Sequence, residues 1–208
     1  MSKKALIAGI SGVVGLATAE RLLQEGWEVY GLSRGRTPVP RGCHALTADL
    51  TSPASVKEAL QQLQPDALFF SVWARQSTEQ ENIRVNGAMV RNVIEALGER
   101  LRGSHVALVT GLKHYLGPFD AYGKGEVPLT PFREEQGRQP VDNFYYAQED
   151  ALFAGAEKYG YHWSVHRPHT IIGFAPGNAM NMGQTLAVYA SLCKFHNLPF
   201  IFPGSAAQ

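Results

Sequence analysis

A parallel sheet covered by helices on both faces, doubly wound from its first strand, is the α/β fold this sequence predicts. Three observations predict it. Apolar runs alternate with helical stretches along most of the 208 residues. Those runs are almost continuously apolar, as strands buried on both faces must be. The first of them leads directly into glycines at positions 9, 12 and 15, which let backbone approach a ligand closely at a helix start whose N–H groups favour an anion.

Taken in order, the first strand spans residues 5–8. The helix beyond the glycines carries Leu16, Ala19, Leu22 and Leu23 on one face until Gly26 stops it. Lys3 and Lys4 ahead of an apolar run, with Ala17-Thr18-Ala19 beyond, also resemble an export signal. The glycines oppose that reading, since each weakens a signal helix by about 1 kcal/mol, and the helical pattern continues past the cleavage position. A second strand covers 27–33 and a short third 43–47. Ser52 caps an amphipathic helix over 52–63, with Pro53 at its first position. Residues 67–72 read as a buried strand. A long helix lies within 78–102, with Ile83, Met89, Val90, Val93, Ile94 and Leu97 inward. A strand over 106–110 precedes an irregular segment, 111–142, rich in Pro and Gly. A helix over 144–159, a strand over 163–167, a helix over 182–195 and a last short strand over 199–202 complete the order.

The composition fits such a domain. With 45% hydrophobic and 18% charged residues, the chain is too apolar for disorder. Nineteen Lys+Arg against eighteen Asp+Glu leave a net charge of +1, without the basic stripe that nucleic acid demands. Cys43 and Cys193 are too few for a disulfide framework or a Cys-based zinc site. They read as buried thiols in a reducing compartment, hence a cytoplasmic protein. No apolar stretch reaches the ~18–20 residues of a membrane span.

Ligands of doubly wound sheets sit at the carboxyl ends of the strands, where strand order reverses. Gly9, Ser11, Gly12, Val13, Val14 and Gly15 are therefore candidates to hold the pyrophosphate of a dinucleotide. About twenty residues on, an NAD site places Asp or Glu against the ribose 2′-hydroxyl. Here the second strand ends Ser33-Arg34-Gly35-Arg36. Ser33 and Arg34 suit a 2′-phosphate instead, which favours NADPH over NADH. Asp49 and the adjoining Leu50 are candidates for the adenine, and capping of the following helix is an equally good role for Asp49.

The chemistry lies farther along. Lys113 follows a strand, so it faces the nicotinamide end. Tyr145 and Tyr146 open the next helix, but four residues after them stand Glu149 and Asp150. The Tyr–Lys dyad of ordinary short-chain dehydrogenases is absent. At ~100° per residue Tyr145 aligns with Leu152, Ala156 and Tyr159, while Tyr146 aligns with Asp150, Phe153 and Glu157 on a more solvated face. Tyr145 is the one expected inward. His166 and His169, with His162 nearby, have a loosely metal-like spacing; side chains along a strand alternate faces, and no metal is expected.

TGLKHYLGPF at 110–119, NFYYAQED at 143–150 and WSVHRPHTIIGFAP at 163–176, followed by Met180-Asn181, are the specific blocks. With the glycine turn and Ser33-Arg34, they closely resemble the progesterone 5β-reductase / iridoid synthase-like family of atypical extended short-chain dehydrogenases. The resemblance implies a Rossmann fold and NADPH-dependent reduction of the carbon–carbon double bond of a small apolar enone. It implies Tyr145 and Lys113 as the catalytic pair, and supports Pro168, Thr170 and Ile171 as neighbours of the nicotinamide. Trp73, Phe119 and Met180 are its substrate-pocket positions. His169 stands where that family has glycine, and Ser11 where it commonly has threonine. The resemblance further implies a cofactor domain over 1–175, the start of a largely absent C-terminal substrate portion over 176–208, and a homodimer through the helices within 78–102 and 144–159. Two other classes stay open: a non-catalytic NADP-binding regulator, and an extended-type enzyme acting on nucleotide sugars.

Overall fold

The computed structural model describes residues 2–118, 130–177 and 181–201. Its elements in chain order are β1 (Lys4–Ala8), α1 (Val13–Gln24), β2 (Glu28–Ser33), β3 (His44–Thr47), α2 (Pro53–Leu60), β4 (Ala67–Phe70), α3 (Glu79–Leu97), β5 (His105–Val109), α4 (Lys113–Leu116), α5 (Phe144–Tyr159), β6 (His162–His166) and α6 (Met182–Phe195). The six strands form one sheet in the order β3-β2-β1-β4-β5-β6, and every neighbouring pair is parallel. The chain winds outward in one direction from β1, then returns and winds the other way from β4. The doubly wound sheet is the expected fold.

Local chemistry sets the element boundaries. Ser52 accepts from the Ser55 N–H and Pro53 opens α2; Thr78 does the same for α3 through the Glu81 N–H at 3.2 Å. These caps satisfy donors that no helical carbonyl can reach. Gly160 ends α5 in the left-handed conformation, which costs glycine nothing sterically.

Alternation along the strands divides the core between two faces. Leu6, Ala8, Leu32, Leu68, Phe70, Val106 and Leu108 point to one, against Val56 and Leu60 of α2, Val90, Val93 and Ile94 of α3, and Leu152 of α5. Ile7 and Val29 point to the other, where Ala19, Leu22 and Leu23 of α1 meet them. Each fully buried leucine contributes roughly 2 kcal/mol of transfer free energy. Toward β5 and β6 that second face is polar: the Ser164 hydroxyl lies 2.9 Å from His105 Nε2 and 3.0 Å from His166 Nε2. Helix α6 buries only Cys193. Among the described residues no helix is long and apolar enough to cross a membrane.

Three expectations are corrected. Residues 199–201 form no strand; Pro199 lacks the N–H a ladder requires. The described part of the irregular segment 111–142 contains one helical turn, α4. On α3, Asn82, Asn86 and Gly87 are the buried residues of the first half, and Ile83 is only half-buried. Asn86 Oδ1 accepts from the Ala74 N–H at 2.7 Å and Asn82 Oδ1 from the Gln76 N–H at 2.8 Å. Backbone of the loop after β4 needs those partners more than it needs an isoleucine.

Candidate active site

Among the described residues two larger clefts and a smaller one open at the carboxyl ends of the strands. The first, about 500 Å³, lies where strand order reverses between β1 and β4, and is lined among others by Gly9, Ser11, Ser33, Arg34, Asp49, Leu50 and Trp73. The glycine turn explains its floor. Gly9 has φ +93°, and a Cβ there would sit 2.7 Å from Val72 Cγ2. A Cβ on Gly15 would lie 2.2 Å from the Gly9 carbonyl oxygen. Gly9 is required by its positive φ and Gly15 by close backbone packing. Gly12 differs, because a Cβ there would meet nothing closer than the Gly9 oxygen at 3.4 Å. It stands at the N-cap of α1 and lines a small cleft beside Arg34, where the first N–H groups of the helix favour an anion. Val13 and Val14 form the first turn of α1; Val13 packs on Gly173, where a Cβ would come within 2.6 Å of it.

Arg34 borders this cleft and a smaller one of about 240 Å³ shared with Ser11, Gly12, Ser33, Arg36 and Thr37. Ser33 Oγ accepts from the Gly35 N–H at 3.2 Å, which holds the turn that presents both arginines. Asp49 is not the cap of α2. Its Oδ1 accepts from the Thr51 N–H at 2.9 Å and hydroxyl at 2.7 Å, and those bonds, with the Arg34 charge, hold its carboxyl below the usual range. The buried Leu50 offers its carbonyl to Asn92 Nδ2 at 2.8 Å.

The second cleft, about 530 Å³, lies beyond β5 and β6 and brings Trp73, Lys113, Tyr145, Pro168, His169, Thr170 and Ile171 together. Trp73 therefore lines both clefts, with its ring stacked on Phe144 at 5.6 Å. Phe119 and Met180 lie outside the described residues. Lys113 is the first residue of α4 and its side chain is 2% exposed. Its Nζ lies 3.1 Å from both Glu79 carboxylate oxygens and 4.4 Å from the centre of the Phe144 ring. Tyr145 sits in the first turn of α5, and an added Cβ on Gly111 would lie 3.2 Å from its hydroxyl. The glycine after β5 thus admits the phenol to the end of the sheet.

Asn143 binds the pair together. Its Oδ1 accepts from the Tyr145 N–H at 3.0 Å and its Nδ2 donates to the Lys113 carbonyl at 2.7 Å. Sequence reasoning missed it, although an Asn just before a helical run is an N-cap signal. Tyr146 corrects the phase argument. It is buried at 8% exposure while Tyr145 is half-buried, because the segment before α5 covers it: its hydroxyl donates to the His114 carbonyl at 2.7 Å and accepts from the Gln139 N–H at 3.0 Å. Tyr145 borders the cleft for the opposite reason to the one expected, being the less buried of the two.

The sequence shows Glu149 only as the residue in place of the dyad lysine; its partners appear in the structure. Fully buried, it pairs with Arg138 at 3.0 Å and Arg167 at 3.0 Å, and approaches His114 at 3.5 Å. Burial, with the charge of Arg167, pushes the His114 imidazole below its ordinary pKa. This cluster fastens residues 138 and 167 to α5 behind the cleft. Glu149 occupies the position where the usual dyad has lysine, and it serves packing instead. Among the described residues no group of three or more His, Cys, Asp or Glu side chains is arranged to hold a metal.

A sheet in this order, an open glycine at a helix start and two clefts joined at Trp73 define a dinucleotide-binding domain of Rossmann type. Residues 5–205 match the NAD dependent epimerase/dehydratase family, and the chain belongs to it. It is 40% identical to an (S)-8-oxocitronellyl enol synthase of Camptotheca acuminata, over 98% of this chain and 55% of that protein. It is 39% identical to the 3-oxo-Delta(4,5)-steroid 5-beta-reductase of Arabidopsis thaliana, over 97% and 54% respectively. These are the kinds of relative the motif blocks resemble, and the chain spans about half the length of each. The UDP-glucose 4-epimerase of Thermus thermophilus, solved with NAD, shares the fold with a TM-score of 0.68 and 21% identity, over 95% of this chain and 64% of that one.

Proposed function

We propose that this chain is the cofactor-binding and catalytic part of an NADPH-dependent enone reductase. Residues 1–175 form the cofactor domain, and 176–208 begin the portion that closes over the substrate. One observation carries the reading: Tyr145 and Lys113 converge on a cleft joined through Trp73 to the glycine-turn cleft. Gly12 would face the pyrophosphate, Arg34 and Ser33 the 2′-phosphate, and Pro168, Thr170 and Ile171 the nicotinamide. NADPH held there would supply a hydride for the β-carbon of an α,β-unsaturated carbonyl.

Negative charge then gathers on the carbonyl oxygen as an enolate. The Tyr145 hydroxyl donates a hydrogen bond to that oxygen, a contact that strengthens as the charge grows. Lys113 assists from the cleft wall. Its ammonium is held against the Glu79 carboxylate, so it contributes orientation more than net positive field. Trp73, Leu112 and Leu116 supply the apolar walls that exclude water and suit a small apolar substrate.

The test is NADPH oxidation by the purified chain across a panel of steroid, terpenoid and small cyclic enones. Removing one oxyanion donor costs ~3 kcal/mol, so Tyr145→Phe is expected to lower kcat about a hundredfold. Unchanged turnover in that variant overturns the assignment. Cofactor binding without oxidation of any enone would identify a binding protein.

A further inference from the structure

We infer that Glu79 is a positioning residue that sets both members of the Tyr145–Lys113 pair, an inference that rests on the enone-reductase reading above. Glu79 is the first residue of α3, and its carboxylate reaches the starts of two other helices. Both its oxygens lie 3.1 Å from Lys113 Nζ at the start of α4. Oε1 also accepts from the Phe144 N–H, at the start of α5, at 2.8 Å. Oε2 accepts from Asn82 Nδ2 at 3.2 Å, and Asn82 Oδ1 holds the Gln76 N–H of the loop that carries Trp73.

The consequence is geometric. The residue after Phe144 is Tyr145, so the bond to the Phe144 N–H fixes the first turn from which the phenol projects. Asn143, beside it, donates to the Lys113 carbonyl. Lys113 is thus held at its backbone by Asn143 and at its ammonium by Glu79, and Tyr145 is held through its two preceding residues by the same pair. The carboxylate is 15% exposed and the lysine 2% exposed, so water competes weakly for either. A carboxylate is what the place requires: it accepts from an ammonium and two N–H groups together, which a neutral side chain cannot do as well.

The test uses Glu79→Gln and Glu79→Asp, with Lys113→Ala and the Glu79→Gln/Lys113→Ala double variant. Displacing a reacting group by about an ångström can cost on the order of a hundredfold in rate. Glu79→Gln is therefore expected to lower kcat at least about tenfold with KM for the enone changed less than about twofold, and Glu79→Asp to recover part of the loss. In the Lys113→Ala background the same substitution is expected to have a smaller further effect, because the part exerted through Lys113 is already lost and only the hold on the Phe144 N–H remains. A readout independent of turnover is lysine 15N NMR on the cofactor-free chain, where Glu79→Gln is expected to shift the Lys113 ammonium resonance.

A merely structural role predicts otherwise. Glu79→Gln would lower thermal stability while kcat per folded molecule stayed unchanged, or its effect would add in full to that of Lys113→Ala; either result overturns the inference. Should Glu79→Gln fail to fold, the double variant removes both charges, and Glu79→Asp still reads kcat and the lysine resonance. Unchanged kcat and resonance in Glu79→Asp, with wild-type kcat regained on removing both charges, would also overturn it. The Tyr145→Phe control separates this inference from the reading beneath it. Full turnover in that variant sinks the enone mechanism, while the lysine resonance still reports whether Glu79 positions Lys113.

Discussion

Replacing Gly12 and Gly15 by alanine in turn separates the ligand-facing glycine from the packing glycine. Gly12 has φ −86° and ψ 169°, a conformation open to alanine, and its new Cβ would meet only the Gly9 oxygen at 3.4 Å. Losing glycine as a helix cap costs about 0.5 kcal/mol, and stiffening the unfolded chain returns a similar amount. Stability is therefore expected to change by less than about 0.5 kcal/mol. Binding is another matter, since in the proposed placement of the cofactor a methyl there stands where the pyrophosphate approaches. Losing one charge-assisted hydrogen bond costs about 1.5–3 kcal/mol, or roughly ten- to a hundredfold in Kd. Gly15→Ala places a Cβ 2.2 Å from the Gly9 oxygen and 2.6 Å from Ile10 Cα. Both are backbone atoms, so the start of α1 must move, at about 1–3 kcal/mol or more. Thermal denaturation of the cofactor-free chain and titration of NADPH fluorescence measure the two effects. Wild-type NADPH affinity in Gly12→Ala, or wild-type stability in Gly15→Ala, would refute the division of labour.

Arg34→Ala is expected to weaken NADPH binding at least about tenfold and leave NADH nearly unchanged, since a lost guanidinium–phosphate pair is worth about 1.5–3 kcal/mol; equal losses for both nucleotides would count against a 2′-phosphate at this turn. Glu149→Gln leaves two guanidinium groups facing a neutral amide. It is expected to destabilise the fold by about 2 kcal/mol, below the full value for buried pairs because Arg138 is 34% exposed; urea unfolding reads it. The same cluster makes stability pH-dependent. The folded state holds the His114 imidazole below its ordinary 6.5, so the unfolded chain binds more protons there, and stability falls as pH drops below about 6.5. The urea midpoint followed from pH 7.5 to 5.5 is expected to show this slope, and His114→Gln to flatten it.

Much of the fold was legible because its signals are local. Residues 144–159 and 182–195 were expected as helices and are α5 and α6 to the residue; Ser52, Pro53 and the glycine turn announced their own places. The candidate site was legible at Lys113, Tyr145, Arg34 and the glycines, where a residue type at a spacing carries a chemical reason by itself. Tyr146 shows where that reasoning fails. Helix phase assigns a face, but which face is covered depends on the distant segment whose Gln139 N–H and His114 carbonyl bind that hydroxyl.

The sequence by itself determined a doubly wound sheet, a glycine turn between its first strand and first helix, and the lysine and tyrosine that meet in the cleft beyond β5. Only the tertiary structure decided that Glu79 meets Lys113 across 34 positions, that Asn143 ties that lysine to Tyr145, and that Glu149 is committed to two arginines behind the cleft. The physical reason is range. Strand alternation, helix phase, caps and glycine turns act over a few residues and leave a pattern in the chain. A buried carboxylate chooses its partner by where the sheet order brings the helix ends together, and nothing within a few residues of Glu79 records that Lys113 will be there.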